Sequence, residues 1–247
     1  MKTVIQQLKN FIATQSLLHW IILMVFCSLS VYINYAFGLN RAIDRMSPFN
    51  EYLAYIALYA VHTVFAYLLY SFFSGNYAYW KKPGFLFLLL ASFLIFAFRA
   101  VMYQHHHWVE SISDESVGRL NALVTNDLFR LCYLSLPVIV IWYFFDRNQN
   151  LYGCSVEHHK WKLYWTLLLC MVPLIIGASV LGDFLDYYPR FAKLYRYDPP
   201  VWKILPFELF YGLDFTSIEL FFRGFMVMAF ARYVGIHAIL PMAAFYL

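Results

Sequence analysis

Between Ser217 and Phe230 the chain carries two charges, Glu219 and Arg223, in a stretch that otherwise reads as lipid-soluble. A glutamate four residues before an arginine is the favourable orientation for a helical ion pair, and in a dry setting the loss of either partner strands the other. At roughly 100° per residue the two side chains lie about 40° apart around a helix, and Glu208 returns to within about 20° of Glu219. Three charges therefore share one face. Leu or Phe would be cheaper at each position, and an ionisable residue inside a membrane is by default a functional-site hypothesis. The chemistry open to a carboxylate withdrawn from water is proton transfer, because its charged form is disfavoured and it can take a proton from water near neutral pH. The structural alternative is a pair that locks two helices together or lies at the membrane interface.

The surrounding residues are Ile218-Glu219-Leu220-Phe221-Phe222-Arg223-Gly224-Phe225. They resemble the first motif of the CAAX-protease and bacteriocin-processing (CPBP) family, Glu-Glu-x-x-x-Arg, very often written out as Glu-Glu-Leu-x-Phe-Arg-Gly. Glu219 matches the second glutamate, Arg223 the arginine and Gly224 the glycine that commonly follows. Ile218 stands where the family has its first glutamate, the residue usually taken to activate the attacking water. Phe245 suits the phenylalanine of the family's next motif, Phe-x-x-x-His, but the histidine would fall two residues beyond Leu247. A third motif, a later histidine followed by Asn or a similar residue, is absent. The chain also stops inside an apolar run, so the expectation is a truncated piece of a longer membrane protein.

The resemblance implies an intramembrane endopeptidase that hydrolyses a peptide or membrane-protein substrate. It also implies Glu219 as the catalytic carboxylate, oriented by Arg223, with histidines and an asparagine stabilising the oxyanion. The cofactor is left open between none and a divalent metal such as zinc. Water and a substrate backbone would need a polar cavity within the bundle, and Glu208, Asp214 and Thr216 are the residues expected at its mouth. With Ile218 at the first position two outcomes stand side by side. Either Glu219 serves alone, or the protein is a non-catalytic pseudoprotease that binds a partner, or a small transporter, in which Glu219 and Arg223 form a structural pair.

The elements that must position these residues follow from the composition. Of 247 residues 62% are apolar and 13% charged, against roughly 25% charged in a soluble domain. The implied fold is all-α, a polytopic transmembrane bundle forming a single membrane domain over 1–247. A span needs about 20 apolar residues, and the runs Leu17–Phe37, Leu53–Phe73, Phe85–Val101, Leu128–Phe145, Leu163–Leu181 and Ile204–Phe230 supply six. A seventh, His237–Leu247, is too short to be complete. Residues 1–16 read as an amphipathic helix on the membrane surface, with Val4, Ile5, Leu8, Phe11 and Ile12 on one side. Arg99 and Arg130, near span ends, are expected to snorkel. Pro137 and Pro173 are expected as kinks within spans four and five.

The basic residues divide almost evenly between the two sides of such a bundle. Arg190, Lys193, Arg196 and Lys203 sit in one long segment that counts less in the positive-inside rule, which favours a cytoplasmic N-terminus in a bacterial inner membrane. The partners expected are lipid and substrate. No block of five or more basic residues is present to track a phosphate backbone, so nucleic acid is not expected.

The remaining candidates carry less. His105, His106 and His107 point in different directions if helical, and with His158 and His159 they read as aqueous ends. His62, alone at depth, reads as a hydrogen-bonded packing histidine. The segment 181–200 reads as an amphipathic connection. The four cysteines show no metal-knuckle spacing, and no phosphate loop, Gly-x-Ser-x-Gly elbow or His-Glu-x-x-His motif occurs.

Overall fold

In a computed structural model the described residues are 2–102, 115–148, 150–154, 161–180 and 201–246. Among them the structure is helical, with no strand. The elements are α1 (Lys2–Ala13), α2 (Leu17–Phe37), α3 (Leu39–Ile43), α4 (Pro48–Ser74), α5 (Pro83–Val101), α6 (Glu115–Ile141), α7 (Trp161–Ser179), α8 (Val201–Glu219), α9 (Phe230–Val234) and α10 (Ile239–Phe245). π-helical stretches cover Trp142–Asp146 and Leu220–Ala229.

Local chemistry accounts for the helix limits. The Ser16 side chain caps α2 by accepting from the His19 N–H, satisfying one of the donors a helix start leaves open. Pro48 and Pro83 sit in the first turns of α4 and α5, where their missing N–H costs nothing and their φ is already helical. Pro137 and Pro173 are accommodated inside α6 and α7.

Among the described residues five helical stretches are long and apolar enough to cross a membrane: Leu17–Phe37, Pro48–Ser74, Pro83–Val101, Asn121–Asp146 and Ile204–Phe245. The protein is thus a polytopic helical membrane protein. Two details differ from the six expected spans. Within α7 the apolar helix Leu168–Ser179 is shorter than a span. The sixth span, instead of ending near Phe230, runs on to Phe245 as 42 residues, roughly 60 Å at helical rise against a hydrocarbon layer of about 30 Å. The run is broken at Gly235, whose φ of 61° and ψ of −141° suit a residue without a Cβ.

Two compact units are distinguished, one containing the described residues of Gln104–Leu128 and Ser155–Gly212, the other those of Lys2–Tyr103, Phe129–Cys154 and Leu213–Leu247. In the first, Phe207 is fully buried against Leu123, Val124 and Ile204. The second holds an aromatic core in which Phe85, Phe221, Phe225 and Phe230 have no exposed surface. Phe245 is central to it. Its ring centroid lies 4.9 Å from Tyr59, 5.3 Å from Phe96 and 5.8 Å from Phe222, so α10 is fixed against α4, α5 and the π-helical stretch after α8. On its other side α10 packs Leu240 and Ala244 with Leu23 of α2 and Ala66 of α4.

Candidate functional site

The π-helical stretch Leu220–Ala229 begins directly after Glu219, and such i→i+5 segments recur at functional sites. It is two-faced. Phe221, Phe222, Phe225 and Met226 point into the aromatic core, while Arg223 and the preceding Glu219 are exposed. Arg223 Nε lies 2.8 Å from Glu219 Oε2, forming the expected ion pair. The pair is not enclosed by the protein. The Glu219 side chain is 53% exposed and that of Arg223 78%, because the apolar face of this segment is taken up by four inward aromatic and methionine side chains and the charges occupy the remaining face.

The pair opens onto a groove of about 460 Å³. Phe215 and Ile218 from α8, Phe222 from the π-helical stretch, and Met242 and Tyr246 at the α10 end line it. Phe245 positions the groove's far wall by anchoring α10 in the core, and Phe222 and Tyr246 meet edge to face at 4.9 Å. The result is a carboxylate and a guanidinium at the rim of an apolar, aromatic trough.

The other residues proposed for the mouth are placed elsewhere. Glu208 and Thr216 are exposed, and Glu208 belongs to the unit that does not contain Glu219. Asp214 is buried. Arg99 Nη2 donates to both of its carboxylate oxygens, at 2.9 and 2.8 Å, and Ser217 Oγ lies 3.3 Å from Oδ1 while donating to the Asp214 carbonyl at 2.7 Å. Arg99 therefore does not snorkel. Its side chain is 12% exposed, its guanidinium lies 6.0 Å from the Phe96 ring, and Nε has no hydrogen-bond partner among the described residues.

A second ion pair, not visible in the sequence, joins a buried carboxylate to a guanidinium that is 38% exposed. Arg232 donates from Nη1 and Nη2 to the two oxygens of Asp146, which is 5% exposed, and Tyr152 donates to Asp146 Oδ2 at 2.7 Å. Tyr152 takes φ 38°, a left-handed backbone that costs a non-glycine residue about 1–3 kcal/mol. Burial, then the hydrogen bond to Asp146, pushes its hydroxyl well above the usual phenol range. One signal could have revealed the first pair: Arg99 and Asp214 are opposite charges in separate apolar helices, and each needs a partner when buried.

Gly224 has a packing reason for its identity. A Cβ there would lie 3.1 Å from both the Cβ and the carbonyl oxygen of Tyr152, so the turn carrying Tyr152 approaches the helix only because the side chain is missing. His62 Nδ1 is 2.7 Å from the Leu58 carbonyl, the self-satisfied arrangement expected of a packing histidine. The histidines at 105–107 and 158–159 and the segment 181–200 lie outside the described residues.

Among the described residues no group of three His, Cys, Asp or Glu could hold a metal ion. Around Glu219 the donor set among the described residues is a single carboxylate already paired with a guanidinium, which by itself does not fit a divalent cation. What the arrangement can do is present a base, held in one orientation, to a backbone lying in an apolar groove. No protein-family model, curated protein or solved structure matches this chain.

Proposed function

We infer that the protein is an intramembrane endopeptidase of the CPBP type, acting on a peptide or a membrane-anchored protein. The observation that carries this reading is the Glu219–Arg223 pair at the rim of the groove walled by Phe215, Phe222, Met242 and Tyr246. In this reading an extended substrate lies in the groove with its scissile carbonyl above Glu219. Glu219 takes a proton from a water as the water oxygen attacks the carbonyl carbon, and returns it to the leaving amide nitrogen when the C–N bond breaks. Arg223, anchored to Oε2, fixes the carboxylate's orientation. No step is assigned to a metal.

The second reading is a non-catalytic, partner-binding membrane protein. It is favoured by Ile218 in place of the first motif glutamate and by the packing role of Gly224, which explains that motif letter without catalysis. Loss of peptide cleavage in Glu219→Gln, with folding intact, separates the two.

The reading includes a bacterial inner membrane with the N-terminus cytoplasmic. Its support is the lower weight of basic residues in one long segment; Gln15 hydrogen-bonds His237 and Lys82 lies over Tyr233 at 5.8 Å, so Lys82 and His237 lie at the same end of the second unit as the N-terminal segment.

A further inference from the structure

A different cavity, of about 480 Å³ and open on one side, lies among α2, α3 and α4, within the size range of small-molecule sites. Phe26, Val31, Leu58 and Val61 supply apolar walls, and no charged side chain lines it. Its buried titratable group is His62, 7% exposed. His62 lies midway along α4, about 20 Å from the Pro48 end at 1.5 Å per residue, so the cavity reaches towards the middle of the hydrocarbon layer.

The hydrogen bonding of His62 defines what it can still accept. A carbonyl oxygen only accepts, so the 2.7 Å contact with Leu58 O puts the ring proton on Nδ1. In the neutral ring Nε2 is then a lone-pair acceptor, and it has no partner among the described residues. The ring lies 5.5 Å from Phe26, which stacks on Phe65 at 3.9 Å and closes the wall behind it. Of the other polar residues of the lining, Ser30 Oγ donates to Phe26 O at 3.0 Å and Asn34 Oδ1 accepts the Asn40 N–H at 3.0 Å, with Tyr35 and Asn40 at the same end as Asn34.

An unused acceptor deep in an apolar, uncharged cavity selects a ligand of complementary chemistry. A charged head would find no counter-charge, and at His62 Nε2 a head bearing only carbonyl oxygens would set acceptor against acceptor. We propose that this cavity binds a membrane-dissolved amphiphile with a neutral hydroxyl head, its O–H donated to His62 Nε2 and its hydrocarbon body lying against Phe26, Leu58 and Val61. The site is separate from the Glu219 groove and does not depend on the protease reading.

The test is equilibrium binding of radiolabelled 4-nonylphenol and of its methyl ether to the protein in lipid nanodiscs. The ether has the same body without the donor. The expected result is saturable binding of the phenol with the ether about ten-fold weaker, the size of effect from leaving one buried acceptor unpaired. His62→Phe should bring the two probes to within about two-fold, and His62→Gln, which keeps an acceptor, should retain the preference. Val61→Trp keeps His62 and fills the groove from a position that is 57% exposed, so it tests the site even if His62 variants fail to fold; phenol binding should be lost. Equal affinity for the two probes, a preference that survives His62→Phe, or no saturable binding would each overturn the proposal.

Discussion

A single nitrogen of Arg99, Nη2, bridges both carboxylate oxygens of Asp214 at 2.9 and 2.8 Å. The pair ties the end of α5 to α8 through two charges that are 12% and 9% exposed.

Removing one partner leaves a buried charge uncompensated. Asp214→Leu or Arg99→Met alone is expected to cost about 3–5 kcal/mol, whereas the double replacement by apolar residues of similar volume should restore most of it. Thermal unfolding of the three variants in one detergent measures this. Additive losses in the double variant would mean that the pair is not the source of the coupling.

At Gly224 an added methyl meets Tyr152 Cβ and O at 3.1 Å and Leu220 Cδ1 at 3.4 Å. Overpacking of this kind costs about 1–3 kcal/mol, partly offset by alanine's better helix propensity. Gly224→Ala should therefore lower stability by ~1–2 kcal/mol while leaving the activity of each folded molecule near that of the wild type. A fully stable but inactive Gly224→Ala would instead make this glycine part of the chemistry.

Tyr79, in the turn between α4 and α5, donates to the Tyr67 carbonyl at 2.9 Å and shares a hydrogen bond with Ser71. Burial pushes its hydroxyl up to about 12, with Ser71 and Trp80 opposing the rise. A raised phenol is held neutral by the fold, so its contribution is complete below the unfolded value of about 10 and disappears as pH climbs through the folded value. At pH 8 Tyr79→Phe should be less stable by ~1 kcal/mol. From pH 10 to 12 the wild type should lose stability faster, narrowing the gap in melting temperature. A gap that stays constant across that range would contradict this.

The apolar runs announced the helices because a stretch of about 20 apolar residues has few other fates, and α2 falls on the expected Leu17–Phe37. The partners of buried charges were hidden. Nothing local connects Arg99 with Asp214, 115 residues away, and snorkelling was the cheaper local account. The pairing of Glu219 with Arg223 was legible because it is a four-residue relation along one helix. Its exposure was not, since 100° per residue fails where the helix widens into the π-form at Leu220–Ala229. Phe245 shows the same limit: as a letter it fitted a motif, and in space it is the aromatic anchor that sets α10 against Tyr59 and Phe96.

Because the Glu219 and Arg223 side chains are 53% and 78% exposed, Glu219→Gln removes no buried packing. Stability and catalysis are therefore separable at this position. The most direct test is cleavage of a labelled membrane-peptide library by the protein in detergent, wild type against Glu219→Gln, with melting temperatures recorded on the same samples. The predicted result is cleavage by the wild type that is lost in Glu219→Gln while the two melting temperatures agree. Equal cleavage in both, or none in either, would contradict the assignment of Glu219 as the catalytic base.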